Sequence, residues 1–172
     1  MAVLRIVQIV ALGIGVGSIV FLSFVVAPSL FGALPRDMAG RATAAILPRY
    51  YLVVGVCAAT AITALFGQAG RRCLFDRRLM VEMVLLLALL APVAWSGLLV
   101  RPRAAAARAT LLDPAQEAGH ADAKALFDRL HRRSVALNAT ALAFGLSALA
   151  LAAAPLRDTR ALPGGRASRA GS

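Results

Sequence analysis

Four apolar stretches, each long enough to cross a lipid bilayer, leave this chain almost no other way to fold. They run over about 6–34, 50–69, 79–100 and 135–154, the last extended toward its amino end from about 122. A bilayer core demands about 20 consecutive apolar residues from a helix. Hydrophobic residues make up 60% of the chain and charged ones 16%, with a mean hydropathy of +0.76, which excludes the soluble class. The expected fold is all-α: a polytopic integral membrane protein built as a four-transmembrane-helix bundle over 1–156. The remaining 157–172 read as a disordered basic tail, rich in Arg, Gly, Ser and Ala.

Within the first run, Ile6 to Leu34, only Gln8, Ser18, Ser23 and Ser29 interrupt the apolar sequence. A secretory leader has a shorter apolar core, about 7–15 residues, so the run is read as a retained helix. Gly13 and Gly17 lie on one face in G-x-x-x-G spacing, and Ala11, Gly15 and Ser18 lie on the opposite one. Both faces are expected to pack, which places this helix centrally. A homo-oligomer seam through Gly13 and Gly17 is the rival reading. Gly55, Ala59 and Thr63 form a similar small-residue row on the second helix. Pro28 and Pro92 remove hydrogen bonds to the carbonyls of Phe24 and Ala88. Pro48 is expected in the first turn of the second helix, and Pro102 at the end of the third. A short surface helix is expected from Pro114, ended by Gly119.

The formal net charge of +11 would suit nucleic acid, but the arginines are scattered between apolar runs and gather on no single soluble face. The partner they imply is the lipid bilayer, not nucleic acid. Cys57 and Cys73 form no C-x-x-C and imply neither a disulfide framework nor a zinc site. With four helices, both termini share a side with the second connection. Nine basic residues fall there, against ten on the side of the first and third connections. The third connection dilutes its basic residues with Asp113, Glu117, Asp122 and Asp128, whereas Gly70 to Arg78 is almost purely basic. The expected placement is a bacterial inner membrane with cytoplasmic termini.

Phe127, His131, Ser134 and Asn138 share one helical stripe within about 60° of arc, continued by Gly145. Polar groups aimed into a membrane protein mark a site or a packing seam. With Arg36, Arg41, Arg49, Tyr50 and Trp95 on the same side, the stripe residues His131, Ser134 and Asn138 make a candidate ligand-binding pocket for a small polar or anionic solute, bound or transported. Two other readings stand beside it. One is a non-enzymatic assembly or membrane-organising protein, in which the stripe merely bonds neighbouring helices. The other is a haem- or copper-binding oxidoreductase, weakened because of the two histidines only His131 is near the membrane. Catalytic residues, a metal set and a cofactor are not indicated, and no Ser-His-acid order or phosphate loop is present. Glu82, one turn after Arg78, reads as a structural anchor, with an ion or proton ligand as its alternative.

Phe31-Gly32-Ala33-Leu34-Pro35-Arg36, Gly40, Leu47-Pro48-Arg49-Tyr50-Tyr51, Pro102-Arg103 and His131-x-x-Ser134-x-x-x-Asn138 occur in that order at helix ends on one side. Together they resemble the transmembrane-protein-205-like family, also filed as domain of unknown function 4149, over roughly Ile6 to Ala154. The resemblance implies a four-helix membrane protein whose activity is not established, with a eukaryotic relative associated with platinum-drug resistance and vesicle traffic. Leu47 stands where that family commonly has an aromatic residue, and Arg101 where an acidic residue precedes Pro-Arg.

Overall fold

The computed structural model describes residues 2–69, 77–112 and 119–154. Four helices in it are long and apolar enough to span a membrane: α1 (Ala2–Ala33), α2 (Arg36–Ala69), α3 (Arg77–Leu111) and α4 (His120–Ala153). Each packs against the next in sequence and α4 closes back onto α1, giving an up-and-down bundle. Only Leu34 and Pro35 separate α1 from α2, because α1 ends with Leu34 extended and α2 begins at once with the Ala39 N–H bonded to the Pro35 carbonyl. The surface is inverted relative to a soluble protein. Large apolar side chains such as Ile6, Phe24, Leu52, Phe66, Val84 and Leu146 point outward. The interior is built largely of alanines, Ala58, Ala61, Ala64, Ala141 and Ala148 among them, so that backbones approach closely.

The polar segments expected as irregular connections are largely helical. With 34 residues, α2 is about 51 Å long by helix rise, well beyond a hydrocarbon core of about 30 Å. Its excess turns, Arg36 to Arg49, stand on the same side as the outer part of α3, from Arg101 to Leu111, and the first turns of α4. Arg-Asp-Met-Ala-Gly-Arg-Ala and Arg-Pro-Arg-Ala-Ala-Ala-Ala are dominated by strong helix formers, which overcome the breaks read at their prolines. Pro48 therefore sits inside α2, not in its first turn, and Pro102 does not end α3. The surface helix expected from Pro114, the connection around Cys73 and the tail lie outside the described residues, apart from Gly119, which caps the start of α4.

Two prolines are absorbed in the same way. Before Pro28 the helix widens into a π turn, Leu22–Val26, closed by the Ala27 N–H on the Leu22 carbonyl. Before Pro102 it widens again over Ser96–Val100, closed by the Arg101 N–H on the Ser96 carbonyl. A proline ring collides with the carbonyl four residues back and cannot bond to it; one wider turn relieves the collision and passes the hydrogen-bond deficit up the helix. Ser23 and Ser96 lie on these widened turns.

The small-residue rows need correction. On α1 the packed face carries Ala11, Gly15 and Ile19, and a Cβ on Gly15 would stand 3.2 Å from the Cys57 Cβ. Gly13 and Gly17 are exposed, with nothing within 4 Å of the Cβ they lack. So α1 is one corner of a four-cornered bundle, not its centre. On α2, Ala59 and Thr63 face outward, while the buried row runs through Tyr50, Val54, Ala58, Ala61 and Leu65. The closest three-helix approach is at Gly145, where a Cβ would lie 2.7 Å from Leu89 and 2.8 Å from Val16. Gly145→Leu should therefore lower the thermal midpoint in detergent, by the roughly 1–3 kcal/mol typical of overpacking. Gly17→Leu should leave that midpoint unchanged; equal losses in both would refute the orientation of α1.

Candidate functional site

Where the four helices leave the apolar zone on the side of the first and third connections, their polar side chains meet in one layer. Asn138 accepts a hydrogen bond from the Tyr50 hydroxyl at Oδ1, and its Nδ2 donates to the Ser23 Oγ at 2.9 Å. Beside it Tyr51, Ser96 and Ser134 form a hydroxyl triangle, with Tyr51 to Ser96 at 2.7 Å, Ser96 to Ser134 at 3.2 Å and Tyr51 to Ser134 at 3.4 Å. Every helix contributes. Gly97 makes room for this arrangement, since a Cβ there would sit 3.3 Å from the Tyr51 ring.

Above this layer the bundle forks. The outer part of α3 lies along the first half of α4, and the outer part of α2 lies against the end of α1. Between the two pairs is a cavity of about 540 Å³, within the roughly 300–1,000 Å³ typical of small-molecule sites. Tyr51 and Ser134 are at its floor; Phe31, Leu47, Val100 and Leu130 are among its apolar walls; Arg36, Arg101, Arg108 and His131 bring charge and polarity to it. Arg108 bridges the fork by donating to the Asp37 backbone carbonyl at 2.7 Å and to its carboxylate at 3.2 Å. The bridge needs Gly40, because a Cβ there would be 2.7 Å from the guanidinium. Asp37 is shared with Arg41 at 3.0 Å. Arg36 and Arg101 have no hydrogen-bond or ion-pair partner among the described residues.

The sequence candidates thus separate into three groups. Arg36, His131 and Ser134 line the cavity, with the His131 ring stacked on Phe127 at 6.2 Å and 12°. Tyr50 and Asn138 are hydrogen-bonded to each other and do not line it. Arg41, Arg49 and Trp95 are exposed and outside it, Trp95 with 59% of its surface accessible on the outer face of α3. The walls are apolar rather than polar, because the outer turns that form them are rich in alanine and leucine. Sequence reading left Arg101, Arg108, Tyr51, Ser23 and Ser96 off the site. The two serines were visible as isolated hydroxyls a few residues before prolines.

At the opposite end lies a second polar centre that sequence reading recognised only at Glu82. Gln8, Gln68 and Glu82 are 1%, 6% and 6% exposed. Gln68 donates to the Gln8 carbonyl oxygen at 2.8 Å, and Gln8 donates to Glu82 at 3.2 Å. The expected Arg78–Glu82 pair forms at 3.1 Å. Arg78 also donates to the carbonyls of Leu151 and Ala154, and Arg5 to those of Ala152 and Ala154. The carboxylate orients a chain of amides, and two guanidiniums satisfy the end of α4, where carbonyls lack partners and the helix dipole is negative. Room for about one water, 10 Å³, remains among these side chains. Among the described residues no three His, Cys, Asp or Glu side chains are grouped to hold a metal ion. His120 and His131 lie on the same helix about 16 Å apart by rise, too far to ligate one haem iron together.

A family model described as "Domain of unknown function (DUF4149)" matches residues 10–112, which span most of α1 and all of α2 and α3. No curated protein and no solved structure matches the chain.

Removing the carboxylate of the second centre should be costly, because Gln8 would lose its acceptor and Arg78 its counter-ion. Glu82→Ala is expected to destabilise the detergent-solubilised protein by about 3 kcal/mol, read as a lowered midpoint of unfolding. Retention of the wild-type midpoint would show that the chain of amides carries no stability.

Proposed function

We propose that this chain, which belongs to the family of the domain of unknown function DUF4149, is an integral membrane protein that binds a small anionic solute in the cavity between its forked helix ends. One observation carries the reading. Arg36 and Arg101 line the cavity with no hydrogen-bond or ion-pair partner among the described residues, while the hydroxyls of Tyr51 and Ser134 at its floor are bonded. Two guanidiniums beside apolar walls favour an anion, since Arg binds carboxylate and phosphate in fixed fork geometry. His131 stands beside them as a further donor. The second polar centre closes the other end of the bundle, so a transported solute would have to part Gln8, Gln68 and Glu82. The likeness to the transmembrane-protein-205-like family is part of the same proposal: its Phe31–Arg36 and Leu47–Tyr51 segments border the cavity.

The assembly reading keeps support from a specific observation. No buried side-chain nitrogen or oxygen among the described residues lacks a hydrogen-bond partner, as expected of polar groups that hold helices together. Asn138 and Tyr50 belong to that frame; Arg36, Arg101 and His131 do not. In this proposal the membrane is a bacterial inner membrane, the termini are cytoplasmic and the cavity faces the opposite side. A second copy meeting the exposed Gly13–Gly17 face of α1 is compatible with either function.

Thermal shift with anions running from inorganic phosphate and acetate to alkyl carboxylates tests the site. Stabilisation by at least one anion is expected, abolished in Arg36→Gln/Arg101→Gln and weakened in His131→Ala, with unliganded midpoints unchanged. Asn138→Ala should instead lower the unliganded midpoint and retain binding. If no anion stabilises the wild type, the frame alone remains. For orientation, an impermeant thiol reagent should leave Cys73 unmodified in intact cells carrying a Cys57→Ala background; labelling there would invert the chain.

A further inference from the structure

Resting on the binding site just proposed, we infer that its ligand is an anionic amphiphile taken from the membrane: an acidic head on an alkyl chain, not a freely soluble ion. The cavity's composition points this way. Its floor offers hydroxyls already committed to one another, so little there could solvate a small, strongly hydrated anion. Its walls, from Phe31 and Leu47 on one helix pair to Leu111 and Leu130 on the other, are apolar. They would stay in contact with water unless an apolar body filled them. The charges match the other half of such a molecule. Arg101 immediately follows Val100, the last residue of the apolar run of α3, and so sits at headgroup depth; Arg36 opens α2 across the cavity. Neither has a partner among the described residues, whereas Arg108 is held by Asp37.

The place in the bundle agrees with a membrane source. The outer helix pairs separate just above the hydroxyl layer, where the apolar zone ends, and the contact between Arg108 and Asp37 ties them together across the cavity. An alkyl chain between the pairs would therefore be continuous with the adjoining leaflet, its head beside Arg36 and Arg101. Two sources share this chemistry, a free fatty acid and an anionic phospholipid that lends one acyl chain.

The experiment is native mass spectrometry of the full chain ejected from phosphatidylcholine nanodiscs, supplied separately with dodecanoate, phosphatidylglycerol, acetate or inorganic phosphate. One dodecanoate or one phosphatidylglycerol per chain should be retained, the first identifying a fatty acid and the second a leaflet lipid as the source. Arg36→Gln/Arg101→Gln should weaken retention about tenfold or more, as expected for losing hydrogen bonds to a charged group. Ala44→Trp, which narrows the cavity from a position two turns along α2 from Arg36, should weaken it as well, with the unfolding midpoint of both variants at the wild-type value. Retention indifferent to both variants would overturn the assignment. Binding of acetate or phosphate but of neither amphiphile would overturn it too, while leaving an anion site standing. Failure of all four to bind would remove the site itself.

Discussion

A polar group inside this bundle has no water to turn to, so each must find its partner within the protein, and that requirement arranges everything else. The prolines show it on the backbone. Pro28 and Pro102 each take away a donor and crowd a carbonyl, and each is answered by a π turn that restores a bond one residue further back. The same widened turns carry Ser23 and Ser96, which bond to residues of other helices. A local repair of the helix ladder thus lies where the interhelical bonds form. Whether Ser23 and Ser96 would reach Asn138 and Ser134 from a regular turn is a question of register. A π turn inserts an extra residue and rotates all that follows it by about 100° relative to an unbroken helix.

Two polar layers result, Gln8 to Glu82 at one end and Tyr50 to Asn138 at the other. Along α3, Glu82 and Ser96 are about 21 Å apart by rise, and along α2, Tyr50 and Gln68 about 27 Å. These spacings approach the thickness of the hydrocarbon core, so each layer lies close to an interface, where its cost is least. Between them the contacts are those of alanine and glycine with leucine and valine. Beyond the first layer α1 has only its first turns and α4 only its last, and Arg5 and Arg78 bond to the carbonyls at the end of α4. Beyond the second, all four helices continue into a region where water satisfies their surfaces. There they pack as two pairs, α1 with α2 and α3 with α4, and the cavity is the space between the pairs.

The membrane class, the four spans and the polar stripe on α4 were legible because length and periodicity are properties of one segment at a time. Ser134 and Asn138 do turn toward the other helices, and His131 borders the cavity while exposed. What was not legible is which neighbour each face meets. Gly13 and Gly17 match a packing motif as well as Ala11 and Gly15 do, and only the position of α2, which brings Cys57 against Gly15, separates them. Gln8 and Gln68 are single polar residues in apolar runs, sixty positions apart, and their pairing depends on how α1 and α2 lie together. The continuation of helix through Pro48 and Pro102 was missed for a different reason. Proline is a strong local signal, and its cost can be offset by alanine-rich flanks and a widened turn that no residue announces.

That distinction decides what the polar residues mean. An intramembrane polar side chain is equally good evidence for a ligand site or for a helix seam when only its position is known. Its partners discriminate. Asn138 spends its carbonyl on Tyr50 and its amide on Ser23, so a ligand there would have to break a bond for each one it made. Glu82 accepts from Gln8 and Arg78 and is in the same position. Arg36 and Arg101 have nothing to give up. A ligand at their guanidiniums displaces only water, and the apolar walls beside them release more water as they are covered, so binding gains on both counts. The deepest residues of the stripe, the ones that most attract attention in the sequence, are therefore its frame. The anion site proposed above lies one layer further out, on Arg36 and Arg101.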